Sequence, residues 1–181
     1  MDKSSGHPLI SDHYRNQQTE LHHKHDLYGA KSMVFAPVVA ILINEMNIQT
    51  MLDYGCGKGR LAQSLKINHD IKCTQYDPAI AEFSETPSPQ ELVCCIDVLE
   101  HIEPEYLDNV LHHLKALTRR VGFLTIHTGP AKKILSDGRN AHLIQEPIEW
   151  WFPIIKQHFT IIKSYLLPDG FVVVVQARST I

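Results

Sequence analysis

No apolar run in this sequence approaches the roughly 20 residues needed to cross a bilayer, so a membrane-spanning role is not expected. The amino end, MDKSSGHPLISDHYRNQQ, lacks the charged start and apolar stretch of a secretory leader. The cytoplasm is therefore the expected compartment. Its four cysteines, Cys56, Cys73, Cys94 and Cys95, show neither C-x-x-C nor zinc-ribbon spacing, which argues for reduced thiols rather than a disulfide framework or structural zinc. Positive charge is not in excess: 17 Lys and Arg face 20 Asp and Glu, a net charge of −3. An extended grip on nucleic acid, which needs a basic surface to displace counterions, is not expected. Internal repeats and low-complexity tracts are also missing.

What is present suits one soluble core: 181 residues, 44% hydrophobic and 20% charged. Residues 1–31 are polar and rich in histidine (His7, His13, His22, His23, His25) and read as an arm or cap. Residues 32–181 read as a single domain. Within the arm, Tyr14, Leu21, Leu27 and Tyr28 are too apolar for a purely solvated tail. A helix is predicted over Met33–Met46, interrupted early by Pro37. Strand and helix then alternate: strand Thr50–Tyr54, helix Lys58–Lys66, strand Ile71–Tyr76 and the continuous apolar strand Leu92–Ile96. A helix opening at Glu103-Pro104-Glu105 and running to about Thr118 leads into a strand over Arg120–His127. A polar loop to Glu146, a helix from near Pro147, and two strand-like runs joined by Pro168-Asp169-Gly170 complete the chain. The predicted fold is α/β, a doubly wound, mostly parallel sheet with an antiparallel hairpin at its carboxyl end.

The first strand ends in Gly55-Cys56-Gly57-Lys58-Gly59, where glycines permit unusual backbone angles and close approach of a ligand. Asp77 ends the second strand, where a carboxylate can accept hydrogen bonds from both ribose hydroxyls of an adenosine cofactor. The glycine spacing departs from G-x-G-x-x-G, which counts against a nicotinamide-dependent oxidoreductase. LDYGCGKG resembles the first motif of class I S-adenosylmethionine-dependent methyltransferases, QYDPA the second, and CCIDVLEHI the segment after the fourth strand. The resemblance covers roughly residues 33–177. It implies that Asp53, Gly55 and Gly57, with Cys56 in the same turn, hold the methionine part of the cofactor. Asp77, followed by Pro78, would hold the ribose, and Cys95-Ile96-Asp97 would line the site. The implied chemistry is in-line displacement at a sulfonium methyl, in which the enzyme positions an acceptor and removes its proton.

Only Ala79 to Gln90 separates the second strand from Leu92–Ile96, and Thr86-Pro87-Ser88-Pro89 lies within that stretch. The family's third strand is expected to be missing or vestigial, leaving Ile71–Tyr76 at the edge of the sheet. The arm, or a second copy of the chain in a homodimer, is expected to shield it. Adenine contacts would pass to Phe83 or to the arm. Asp97, Glu100 and His101 form a D-x-x-E-H cluster. In ubiquinone-pathway O-methyltransferases and small-RNA terminal 2′-O-methyltransferases, E-x-x-E-H and a later histidine bind a divalent metal, so Asp97, Glu100, His101 and His142 form a candidate metal set. His127, His142 and Asp97 are candidates for the catalytic base. Arg139 is a candidate anion clamp, and one of Trp150 and Trp151 a candidate pocket wall. The expected activity is O-methylation of a small-molecule acceptor. A nucleic-acid methyltransferase, such as one acting on RNA ends, and a non-catalytic cofactor-binding protein of the same fold are the alternatives.

Overall fold

A computed structural model describes residues 7–25 and 29–178. Six strands form one sheet in the order β2-β1-β3-β4-β6-β5. They are β1 (Thr50–Tyr54), β2 (Lys72–Tyr76), β3 (Gln90–Ile96), β4 (Thr118–His127), β5 (Phe159–Leu167) and β6 (Gly170–Ala177). The first four run parallel, and β6 is antiparallel to both β4 and β5. No strand stands between β2 and β3 in sequence; the connection holds a single 3-10 turn, Ala81–Phe83. β2 is accordingly one edge of the sheet, as the short connection predicted.

The apolar runs of the sequence explain the layering. Along β3, Val93 and Cys95 join the cluster on one face, while Leu92, Cys94 and Ile96 join the cluster on the other. This is the two-residue period of a strand buried on both sides. Helix α4 (Leu107–Leu117) buries Leu107, Val110, Leu111, Leu114 and Leu117, a helical stripe, against the first face beside α5 (Ile148–His158). Helices α2 (Ser32–Met46) and α3 (Arg60–Ser64) cover the second. The third helix is shorter than its sequence pattern predicted, because Gly59 takes a left-handed φ of 68° before it and Leu65 turns extended after it.

The arm is the main departure from expectation. It contains a helix, α1 (Asp12–Lys24), whose buried face comprises Tyr14, Gln17, Gln18, Leu21 and His22. Tyr14 and Leu21 form a third apolar cluster with Leu135 and Ala141 of the segment after β4. That segment, read as a polar loop, is therefore partly core. Among the described residues the arm's hydrogen bond to this part of the chain is not to β2 itself. It falls just beyond that strand's end, where Thr19 Oγ1 donates to the Ala79 carbonyl at 2.8 Å. Leu27 and Tyr28, also invoked for shielding, lie outside the described residues. Among the described residues no helix is long and apolar enough to cross a membrane.

Candidate active site

Parallel register puts the carboxyl ends of β1, β2 and β3 at one level, with Tyr54 opposite both Tyr76 and Cys95. The turns that follow all open on one side, into a cavity of about 760 Å³. That volume lies within the range typical of small-molecule sites. Gly55 and Cys56 donate their N–H groups to the Tyr76 carbonyl at 2.7 and 3.1 Å, which ties the glycine turn to β2. Gly55 has φ 71°, and a Cβ there would stand 2.5 Å from the Val98 side chain, so glycine is required. At Gly57 a Cβ would come within 3.0 Å of the His22 ring: α1 lays an imidazole over the bare backbone.

Two carboxylates flank this cradle. Asp77 accepts from Gly57 N–H at 3.0 Å and from Ala79 N–H at 2.9 Å, fixing the turn, and it lines the cavity with Pro78. Asp53 is 2% exposed, and its Oδ2 has no hydrogen-bond partner. Burial first, and the charge of Asp77 second, push its carboxyl up to about 7. A buried, unpartnered carboxylate oxygen and a turn of exposed backbone fit the ammonium and carboxylate of an amino-acid ligand, so the residues fit the cofactor that the motifs implied. Cys56 and Cys95, expected to line the site, do not: both side chains are buried in the protein, Cys95 completely. Ile96 and Asp97 do line it. The strand's alternation explains Cys95, whose side chain points into the α4 face.

Beyond β3, Asp97 adopts φ 52°, which is uncommon for a residue with a side chain, and its Oδ1 accepts from Thr125 Oγ1 at 2.6 Å. Glu100 is fully buried. Its Oε1 accepts from His127 N–H at 3.0 Å, whereas Oε2 has no partner. Burial and then Asp97 hold its carboxyl far above the usual range. His101 donates from Nδ1 to the Ala141 carbonyl at 2.7 Å, and His142 from Nδ1 to the Gly129 carbonyl at 2.6 Å. In each ring Nε2 is thus the unprotonated nitrogen. Burial lowers both, His101 to about 3, so the two rings are neutral at pH 7. Ligand atoms of Glu100, His101 and His142 lie within 4.8 Å of one another. Asp97, the fourth residue of the candidate metal set, is not in this group.

His127 differs from His142. The Nδ1 of His127 meets both the N–H of Gly129, at 3.0 Å, and that residue's carbonyl, at 3.1 Å, and its Nε2 lies 3.2 Å from Asp169 Oδ2. Arg139 does not reach the cavity. It pairs with Asp137 at 2.8 Å and donates to Gln17 Oε1 at 3.3 Å, because a carboxylate two residues away and α1 claim it first. Trp151 is fully buried, and the partly exposed Trp150 lies outside the cavity wall. Phe83 is also outside it, and the arm supplies Tyr14, Gln18 and His22 instead. Sequence reading missed the functional placement of His22, His25, Lys31, Lys133 and Asp169. A histidine-rich helix and a Pro-Asp-Gly turn carry no signal of the cavity they reach.

A family model described as a methyltransferase domain matches residues 15–176. Among solved structures, a Burkholderia thailandensis 1,6-didemethyltoxoflavin-N1-methyltransferase, with bound 1,6-didemethyltoxoflavin and S-adenosylhomocysteine, superposes with a TM-score of 0.67. Identity is 18%, over 99% of this chain and 98% of that one. A mitomycin 7-O-methyltransferase gives 0.66 at 13% identity, covering 88% of this chain and 60% of that one. DhpI in complex with S-adenosylhomocysteine gives 0.61 at 16% identity, covering 91% and 97%. No curated protein matches the chain at a significant level.

Proposed function

Since this chain belongs to the methyltransferase-domain family, we propose that it transfers the methyl group of S-adenosylmethionine to an oxygen of a small-molecule acceptor, with His142 receiving the proton. One observation carries this reading. The glycine turn with Asp53 and Asp77 opens into the same cavity as a neutral imidazole whose Nε2 is an acceptor. Bound S-adenosylmethionine supplies a methyl on a positively charged sulfur, already activated for displacement. The chain's own residues have three tasks. Asp53 and the turn at Gly55 and Gly57 hold the amino-acid end, Asp77 the ribose, and His142 accepts a proton at Nε2. His127 is less well placed to receive the proton, because its Nδ1 is turned to the Gly129 backbone and its Nε2 to Asp169. The neighbours named above include an N1- and a 7-O-methyltransferase, which supports a small acceptor.

The test pairs binding with turnover. S-adenosylhomocysteine should bind and NAD should not. His142→Gln should lower kcat at least tenfold against a hydroxyl acceptor while its affinity for S-adenosylhomocysteine stays unchanged. Unaltered kcat in that variant would remove His142 from the reaction.

A second reading has its own support in Glu100, whose Oε2 has no partner and whose carboxylate has an oxygen within 4.8 Å of ligand atoms of the two imidazoles. Oxygen and imidazole donors suit magnesium, manganese or zinc. Glu100, His101 and His142 would hold the ion, which would supply Lewis-acid polarisation of an acceptor oxygen. His142 would then be a ligand rather than the base. Zinc should raise the melting temperature of the wild type but not of Glu100→Gln, and a chelator should abolish turnover without unfolding the protein. No shift with any of the three ions, together with full activity in chelator, removes the metal.

A further inference from the structure

The cavity's charges can be followed one by one. Asp53 and Asp77 stand at the cofactor end, and Asp97 is engaged by Thr125. Asp169 takes both Lys31, at 3.0 Å, and His127, at 3.2 Å. Lys24 pairs with Glu20. Lys132 and Lys133 remain, side by side on the segment after β4 and lining the cavity. Among the described residues no carboxylate lies within ion-pair distance of either. Among the described residues the hydrogen-bond partner of the Lys133 ammonium is the ring of His25, with Nδ1 and Nε2 at 3.3 and 3.5 Å.

Lys133 is not a loose surface lysine. Its carbonyl accepts from Ala141 N–H at 3.0 Å, and Ile134 next to it bridges to Asn140. Asn140 in turn clamps Ala131 with two bonds of 2.9 Å. The backbone is thus pinned on both sides, and Lys133 is half-buried beside His25, the residue after α1. An ammonium beside an imidazole gains little from that ring: neutral, it offers no counter-charge, and protonated, it repels. Low-dielectric walls also concentrate the field of such a charge inside the cavity.

We propose that the methyl acceptor carries an anionic group, a carboxylate or a phosphate, which docks on Lys133 beside His25 while its reacting atom lies near His142. This names the substrate class of the proposed transfer and rests on that reading for the word acceptor; the anion site itself does not depend on it. A single anion is specified rather than a polyanionic backbone, because this pair of lysines, without a carboxylate partner among the described residues, is local and the chain carries a net charge of −3. Lys132, which is exposed, guards the rim.

The experiment titrates inorganic phosphate and benzoate, at fixed salt, into protein saturated with S-adenosylhomocysteine, using the wild type, Lys133→Gln and Lys163→Gln. Lys163 is an exposed lysine of β5 and controls for the general loss of one charge. The wild type should bind at least one probe at millimolar concentration. Lys133→Gln should lose at least tenfold in affinity with its melting temperature and S-adenosylhomocysteine affinity unchanged, and Lys163→Gln should match the wild type. The tighter probe identifies a phosphate-bearing or a carboxylate-bearing acceptor. Absence of binding by both probes, equal binding by Lys133→Gln, or equal loss in Lys163→Gln overturns the proposal. If S-adenosylhomocysteine itself fails to bind, the transfer reading falls, and the same titration of the apoprotein still decides the anion site.

Discussion

At Asp53 a single oxygen links burial to ligand chemistry. Its carboxyl, pushed up to about 7 by burial and then by Asp77, is protonated in the apoprotein at pH 6. The ammonium of the cofactor's amino-acid end favours the ionised form, so binding at pH 6 should release a proton, and affinity should climb with pH until about 7 and then level. The sign for stability runs the other way. A folded-state value raised above the unfolded one gives a contribution that is complete below about pH 4 and lost as pH rises through about 7. The apoprotein should therefore lose this increment on going from pH 5 to 8, and saturating S-adenosylhomocysteine should restore part of it. Calorimetry in two buffers of different ionisation heat reads the proton directly. An equal signal in Asp53→Asn would place the proton elsewhere. Asp77 was marked in the sequence as a candidate ribose acceptor, but its clamp on Gly57 N–H was not, since nothing in QYDPA specifies that contact. Asp77→Ala loses a charged hydrogen bond and loosens the turn, so S-adenosylhomocysteine should bind at least roughly tenfold more weakly, by the ~1.5–3 kcal/mol of such a bond.

Among the elements, β1, β3 and β4 were legible because their central residues are buried on both faces, β3 most plainly as the continuous apolar run Leu92–Ile96. Helix α1 was not. Its buried face includes Gln17, Gln18 and His22, polar side chains held by specific partners rather than by an apolar stripe, and a search for hydrophobic period passes over such a helix. Gln17 donates to Ser136 Oγ at 3.2 Å and accepts from Arg139. The helix start is set by Glu103, which accepts from Ser11 N–H at 2.8 Å and Ser11 Oγ at 2.6 Å, while Ser11 caps Tyr14 N–H. Removing a buried acceptor leaves those donors unsatisfied, at a cost of about 1–3 kcal/mol. Since α1 places His22 over Gly57, Glu103→Ala should weaken S-adenosylhomocysteine binding from a site outside the cavity, and hydrogen exchange should quicken over residues 12–24. Unchanged exchange there would show that Ser11 does not need this anchor.

Across the whole molecule, the two large apolar clusters lie on the faces of the sheet, and α1 joins neither through its buried apolar residues; Tyr14 and Leu21 pack instead with Leu135 and Ala141. Folding and binding should therefore separate. Leu111 is fully buried in the centre of the α4 face, and Leu111→Ala removes its packing at a cost of about 2–5 kcal/mol. That variant should melt well below the wild type yet bind S-adenosylhomocysteine normally at a temperature where it is folded, because Leu111 does not line the cavity. Deleting residues 1–25 should do the reverse. The sheet should still unfold cooperatively, while cofactor affinity falls with the loss of Tyr14, Gln18 and His22 from the cavity wall and solubility declines as Leu135 and Ala141 lose their cover. Chemical denaturation and calorimetric titration of both proteins check the pair. If the truncated protein binds as tightly as the full chain, the arm has no part in the site; if it does not fold at all, the arm belongs to the core rather than capping it.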